Sequence, residues 1–412
     1  MITSSYIKEA LTRTEHPVWI IIQIIFVRGL MALKFLLAAR LLGPELIGLV
    51  GVALFSLAIV ESLSDTGLSQ AIIQQKEIIN NIEAGSIWTL LVFRGLILFL
   101  FLFASAIPIS IFFDISDAAP LVAMVAVIPL LRNTINPGFF LAQRKRDFRK
   151  ISIYEIIAAT FDILTTMLLI NLNFGAASLI IGNITCDVIK LFFTWSWFRI
   201  SISPNVNWKS LHRLTSFGKW VWSSSLTTLV LNQTDKILVA KFLGPTEFGL
   251  YQVAARIAQI VVADGAVALS QYLYPTFSQR YRSSPQDAKK YFNWIMWRLI
   301  PIVIFIGMIL AFFAKYIVTI SLGVEWLKAV PLLRALEFPM LLGAIISVLV
   351  VYLRAVGRPK CVTQATLVQL VFFLPITPIL LHYFGALGLA GSLAIAGSAA
   401  AYFMLHKIRR YG

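Results

Sequence analysis

Residues 39–50 read A-R-L-L-G-P-E-L-I-G-L-V, and residues 240–251 read A-K-F-L-G-P-T-E-F-G-L-Y. Each has a basic residue, then Leu-Gly-Pro, then Gly-Leu. At the same spacing, with no gap, Val52-Ala53 meets Val253-Ala254, Ile59-Val60 meets Ile260-Val261, and Leu68-Ser69-Gln70 meets Leu269-Ser270-Gln271. A register kept from Ala39 to Gln70 marks an internal duplication, and such repeats have to be read before individual elements.

What surrounds the repeat is apolar. Of 412 residues, 59% are hydrophobic and only 13% charged, and the mean hydropathy is +0.84. That composition excludes a soluble globular domain. A spanning helix takes about 20 mostly apolar residues. Hydropathy, with breaks at charges, Gly and Pro, predicts helices over 17–39, 46–67, 84–110, 118–142, 151–171, 175–198, 214–240, 247–275, 291–314, 329–354, 361–381 and 385–406. Pro129, Pro137 and Pro301 fall inside these segments and predict kinked or broken helices.

The expected fold is therefore an all-α polytopic membrane protein of about 12 transmembrane helices in two six-helix lobes, residues 1–207 and 208–412. The repeat shift covers an even number of helices, so both halves enter the bilayer in the same sense, as a parallel repeat about the membrane normal. Two such lobes with a path between them follow transporter logic. The loop charges set the orientation. Arg144, Lys145, Arg146, Arg149 and Lys150 fall on one side with Arg280, Arg282, Lys289 and Lys290, whereas the other side holds only Arg40, Lys241, Lys315 and Lys328. By the positive-inside rule both termini are cytoplasmic. The net charge of +16 is accounted for in the same way, and no platform for nucleic acid is visible. The N-terminus lacks the pattern of a cleaved signal peptide. Cys186 and Cys361 read as packing residues.

The repeated stretch, the following Asp65-Thr-Gly-Leu-Ser-Gln-Ala and the basic loop Gln143–Lys150 before Ile-Ser-Ile-Tyr-Glu-Ile together resemble the polysaccharide-transport family. This family comprises the Wzx-type O-antigen and capsule flippases and the colanic acid exporter. The resemblance covers nearly the whole chain. It implies a bacterial inner-membrane flippase with no cofactor that moves an undecaprenyl-diphosphate-linked oligosaccharide from the cytoplasmic to the periplasmic leaflet by alternating access. Implied partners are membrane lipids, the polysaccharide polymerase and chain-length machinery, and a coupling cation, H+ or Na+.

A charge at the bilayer centre costs about 2.5–3.5 kcal/mol on insertion scales, so charges inside spans need a wet cavity or a partner. A diphosphate suits arginine, which offers bidentate hydrogen bonds as well as charge. Arg28, Arg94, Arg132, Arg256 and Arg298 are the candidates for a cationic cleft, with Arg28 and Arg256 ranked first. The competing reading gives them structural ion-pair partners. Lys190 has Asp187 three residues before it on the same helix face. Lys34, Lys236 and Arg334 are read as snorkelling to the interface. Asp162 and Asp264 are the candidates for ion coupling, against the alternative that they neutralise arginines. Trp195, Trp197, Trp208, Trp220 and Trp222 read as an interfacial belt.

No nucleotide-binding loop or metalloprotease motif occurs, and His16, His212, His382 and His406 lie near helix ends, so no enzyme is predicted. Two other classes compete: a cation-coupled exporter of small organic molecules, which would want an acidic aromatic cavity, and a non-transporting scaffold of a polysaccharide assembly complex.

Overall fold

The computed structural model describes His16 and residues 18–64, 81–202 and 208–411. Lys8, Arg13, Lys76 and the Asp65–Ala71 stretch lie outside the described residues. Those that are described form helices α1 (Val18–Leu63), α2 (Asn81–Phe113), α3 (Ala118–Val125), α4 (Val127–Asn133), α5 (Gly138–Arg144), α6 (Phe148–Asn171) and α7 (Ala177–Ser196). They continue with α8 (Trp208–Ala258), a π-helical turn (Gln259–Ala263), α9 (Asp264–Ser283), α10 (Pro285–Ser321), a short 3-10 turn (Val324–Trp326), α11 (Ala329–Ala355) and α12 (Pro359–Tyr411).

Seven of these helices are long and apolar enough to cross a membrane, or eight if the bent pair 118–133 and 138–144 is one span. The fold is thus the all-helical membrane fold that the composition predicts. Large apolar side chains stand exposed along it, among them Phe101, Phe305 and Phe312 at 57%, 59% and 72%. On a soluble protein such continuous apolar surface would aggregate; facing lipid tails it needs no cover.

The chain divides into two compact units, one ending at Pro245 and one beginning at Thr246. In the first unit, Phe198 packs edge to face on both Phe139 and Tyr154, in one cluster with Ile87 and Leu91. In the second, Phe277, Phe292 and Tyr352 join α9, α10 and α11, with the Phe292 and Tyr352 ring centres 4.4 Å apart.

Helix starts follow local chemistry. Asp147 accepts the backbone N–H of Lys150 at the head of α6. Ser284 accepts that of Asp287 at the head of α10, where Pro285 sits at a position whose N–H is not needed.

Both copies of Leu-Gly-Pro interrupt a long helix with one backbone conformation: Gly43 has φ 78°, ψ 174° and Gly244 φ 81°, ψ 179°. Only glycine visits that region without strain of about 1–3 kcal/mol. A Cβ on Gly244 would meet nothing within 4 Å, so substitution there isolates the backbone cost. Gly244→Ala is expected to destabilise the detergent-solubilised protein by about 1–3 kcal/mol. Gly343→Ala, equally unobstructed but at ordinary helical φ, should be neutral or stabilising. Thermal unfolding of the two variants side by side checks the difference.

Pro129 and Pro137 mark a broken segment, as the sequence predicts: α3–α4 and α5 meet at 63°. Non-helical backbone at membrane depth survives only where other groups satisfy it. Here the Thr134 carbonyl accepts both the Trp88 and the Trp195 indole N–H, at 3.3 and 3.1 Å. The Asn136 side chain accepts the N–H groups of Gly138 and Ile200 and donates to the Ile200 carbonyl. Pro301, by contrast, lies inside α10, which runs unbroken from Pro285 to Ser321.

Candidate functional site

The polar residues of the first unit converge. Lys34, sixteen residues into α1, does not snorkel. It is buried, and its ammonium donates to both Asp162 oxygens on α6 at 2.7 and 2.8 Å and to Asn183 Oδ1 on α7 at 2.7 Å. Space for this comes from Gly182, where any side chain would overlap Thr166 Oγ1 and crowd the Asp162 carboxylate. Small residues at a helix contact let two backbones approach in this way.

Lys190 pairs across helices with Glu155 on α6 at 2.7 Å, rather than with Asp187 on its own face. Asp187 instead accepts Nε of Arg132 at 3.0 Å, and Nη1 of Arg132 donates to Glu61 on α1 at 3.1 Å. Arg94 caps the end of α1: it donates to the Glu61 carbonyl and Ser64 Oγ, and to Asn133 Oδ1 on α4. Three cations, Lys34, Arg132 and Lys190, thus pair with four carboxylates, Glu61, Glu155, Asp162 and Asp187, while Arg94 bonds neutral groups.

Arg94 and Arg132 border one cavity of about 360 Å³, with Glu61, Ser62 and Asn133 as its other polar lining and Leu91, Ile135 and Phe140 as apolar wall. The two arginines differ in what they have left to offer. The contacts of Arg94 shape the end of α1. The Arg132 side chain is 45% exposed, and its Nη2 has no protein partner among the described residues. Two carboxylates aim this guanidinium, and one edge remains for an incoming anion.

Arg28 and Asp162, the other sequence candidates in the first unit, do not line this cavity. Arg28 is on an exposed part of α1. Asp162 is the buried partner of Lys34. In the second unit, half-buried Arg256 donates to Gln259 on the following turn at 3.1 Å, and Arg298 lies over the Trp294 ring at 3.6 Å. Asp264 opens α9; its side chain lies outside the described residues. Sequence reasoning did not single out Asn183, Asn133 and Ser64. Their one signal is an amide or hydroxyl set in an apolar run. No cluster that could hold a metal occurs among the described residues.

The model of the family described as polysaccharide biosynthesis protein matches residues 37–331. Among characterised proteins, the succinoglycan biosynthesis transport protein ExoT of Rhizobium meliloti is 24% identical over 80% of this chain and 67% of its own length. The lipopolysaccharide biosynthesis protein WzxC of Escherichia coli is 22% identical over 94% and 80%. Among solved structures, the lipid II flippase MurJ in an inward-closed conformation superposes with a TM-score of 0.75 at 14% identity, covering 95% of this chain and 87% of that one. An inward-facing multidrug resistance transporter of the MATE family follows at 0.70 and 15%, over 95% and 94%. At such identities the structural likeness speaks for the fold, and the family match and the sequence relatives speak for kinship. The chain, with its helices long and apolar enough to cross a membrane, belongs to the family described as polysaccharide biosynthesis protein.

Proposed function

We propose that this protein is an inner-membrane flippase that moves an undecaprenyl-diphosphate-linked oligosaccharide from the cytoplasmic to the periplasmic leaflet by alternating access, and that Arg132 receives the diphosphate. The observation that carries the reading is the Arg132 guanidinium, aimed into the cavity by Asp187 and Glu61 with Nη2 unengaged. A phosphate oxygen takes up Nη2 and competes with Glu61 for Nη1, forming the bidentate pair that a planar guanidinium favours. Asp187, held by Nε, keeps the group in place during the exchange. Loss of the Glu61 contact leaves the end of α1 with Arg94 and Asn133 as its tie to α4, so the binding event is felt in the helix that carries the Gly43 break.

The names of the relatives support a polysaccharide precursor as cargo, and the MurJ-like fold supports flipping of a lipid-linked one. Twelve crossings fit the helices if Gly43, Gly244 and Gly385, all at positive φ, each divide a long helix into two crossings and the second part of α8 counts with the contiguous π-helical turn and α9 as one. The loop charges support cytoplasmic termini.

The test is flipping of a fluorescent undecaprenyl-diphosphate disaccharide in proteoliposomes. A charged hydrogen bond contributes about 1.5–3 kcal/mol, so Arg132→Gln is expected to slow flipping at least about tenfold. Arg132→Lys should retain part of the rate, and Glu61→Gln should bind the substrate at least as tightly as the parent. Undiminished flipping by Arg132→Gln at equal reconstituted abundance would remove Arg132 from the mechanism. Export of small organic cations with no flipping would favour the multidrug reading.

A further inference from the structure

The head of α10 carries a second arrangement of arginines, of a different kind. Tyr291 and Trp294, one turn apart, stack with ring centres 5.6 Å apart and planes 18° from parallel. Arg280, from the last turn of α9, lies 4.1 Å from the Tyr291 ring centre, and Arg298 lies 3.6 Å from that of Trp294. The result is a ladder of guanidinium, phenol, indole and guanidinium. Its members are not hidden: Arg280 and Arg298 are exposed, Trp294 is 49% exposed, and the neighbouring Trp297 is 81% exposed.

The depth of the ladder follows from the rest of α10. Beyond Arg298 the same exposed stripe is apolar, through Pro301, Phe305, Met308 and Phe312, until Lys315 and Tyr316. Arg298 and Lys315 are separated by about 25 Å at 1.5 Å per residue. That is close to the ~30 Å hydrocarbon thickness once both side chains reach outward. The ladder therefore stands at headgroup level, with an acyl-compatible face directly above it. Around it lie Arg282, Lys289 and Lys290, and the acid of the first turn is Asp287.

We infer that this face is a docking site for an anionic phospholipid. A guanidinium stacked on a ring by its face keeps its N–H edges for a phosphate and loses little freedom when it binds one. The basic cluster complements the lipid charge, and the apolar stripe receives the acyl chains. A zwitterionic lipid offers the same chains with its phosphate charge already balanced, so it binds more weakly.

The test is native mass spectrometry of the full chain in detergent, titrated with phosphatidylglycerol and separately with phosphatidylcholine of the same acyl chains, with inorganic phosphate as competitor. Juxtamembrane basic residues strengthen binding to anionic lipid individually, so about a tenfold preference for phosphatidylglycerol is expected in the parent. Arg280→Gln with Arg298→Gln should remove that preference while the protein elutes as the parent does on gel filtration. Trp294→Leu, which leaves both arginines in place, should weaken binding several-fold. Should the double variant fail to fold, Arg298→Lys, with the charge kept and the stacking lost, should also bind several-fold more weakly. Equal binding of the two lipids by the parent, an undiminished preference in the double variant or in Arg298→Lys, or complete displacement by millimolar phosphate would each overturn the assignment.

Discussion

Lys34→Met should destabilise the first unit by about 3–5 kcal/mol, the cost of leaving a buried charge without its partner. The Lys34 and Asp162 side chains are only 9% and 4% exposed, so no water can take over from the ammonium. The abandoned Asp162 carboxylate lies against Gly182 and Thr166 on tightly packed helices and has no room to turn away. Replacing both charges by apolar side chains of similar volume, Lys34→Met with Asp162→Leu, should recover much of the loss, because it removes both desolvation penalties together. Unfolding of the parent, both single variants and the double variant in detergent forms a complete cycle. A parent-like Lys34→Met would show that the pair contributes nothing to the fold.

Gly48→Ala is expected to do comparable damage by steric means. A methyl group built on Gly48 would overlap the carbonyl oxygen of Pro245 and crowd its carbonyl carbon. Overpacking costs about 1–3 kcal/mol when side chains can move aside, and more when they cannot. Here both walls are backbone, and Pro245 follows Gly244, whose conformation is already restricted. The expected result is loss of the monodisperse gel-filtration peak. Gly397→Ala is the internal comparison: its Cβ would come no closer than 3.0 Å to Leu342 Cδ2, the end of a flexible side chain, with Ile346 Cδ1 at 3.8 Å, and it should stay within about 1 kcal/mol of the parent. If the two variants behave alike, the close approach at Gly48 is not what holds α1 to Pro245.

These two expectations also separate what sequence could reveal from what it could not. The helical membrane fold was legible because apolar runs of bilayer length have one stable solution in lipid. The break near Pro137 was legible because proline removes a donor and restricts the residue before it. The two Leu-Gly-Pro copies were legible as a repeat, although their shared backbone conformation was not. The pairing of charges was hidden. Asp187 and Lys190 sit at a spacing that pairs them on one helix face, yet each is bonded to a different helix. Lys34 looked like an interfacial lysine because its partner is 128 positions away, and nothing in a single chain says that α1 and α6 face each other. Arg94 and Arg132 were chosen for their cost in lipid. Their unequal roles, cap and open edge, depend on Glu61 and Ser64 at the end of α1, Asn133 on α4 and Asp187 on α7 coming together.

The broken segment between α4 and α5 has a consequence for how the protein is made. Its backbone groups are satisfied in part by Thr194 and Trp195, and its Asn136 side chain by Ile200, which follow Asn136 in the chain by as many as 64 residues. At synthesis rates of about 5–20 residues per second, Asn136 waits roughly 3–13 s for that partner to leave the ribosome. During this interval the break cannot rest in hydrocarbon with its hydrogen bonds unmade. The α3–α5 region must therefore be held by the insertion machinery or near the interface until α7 is complete, which couples the insertion of these two parts of the chain.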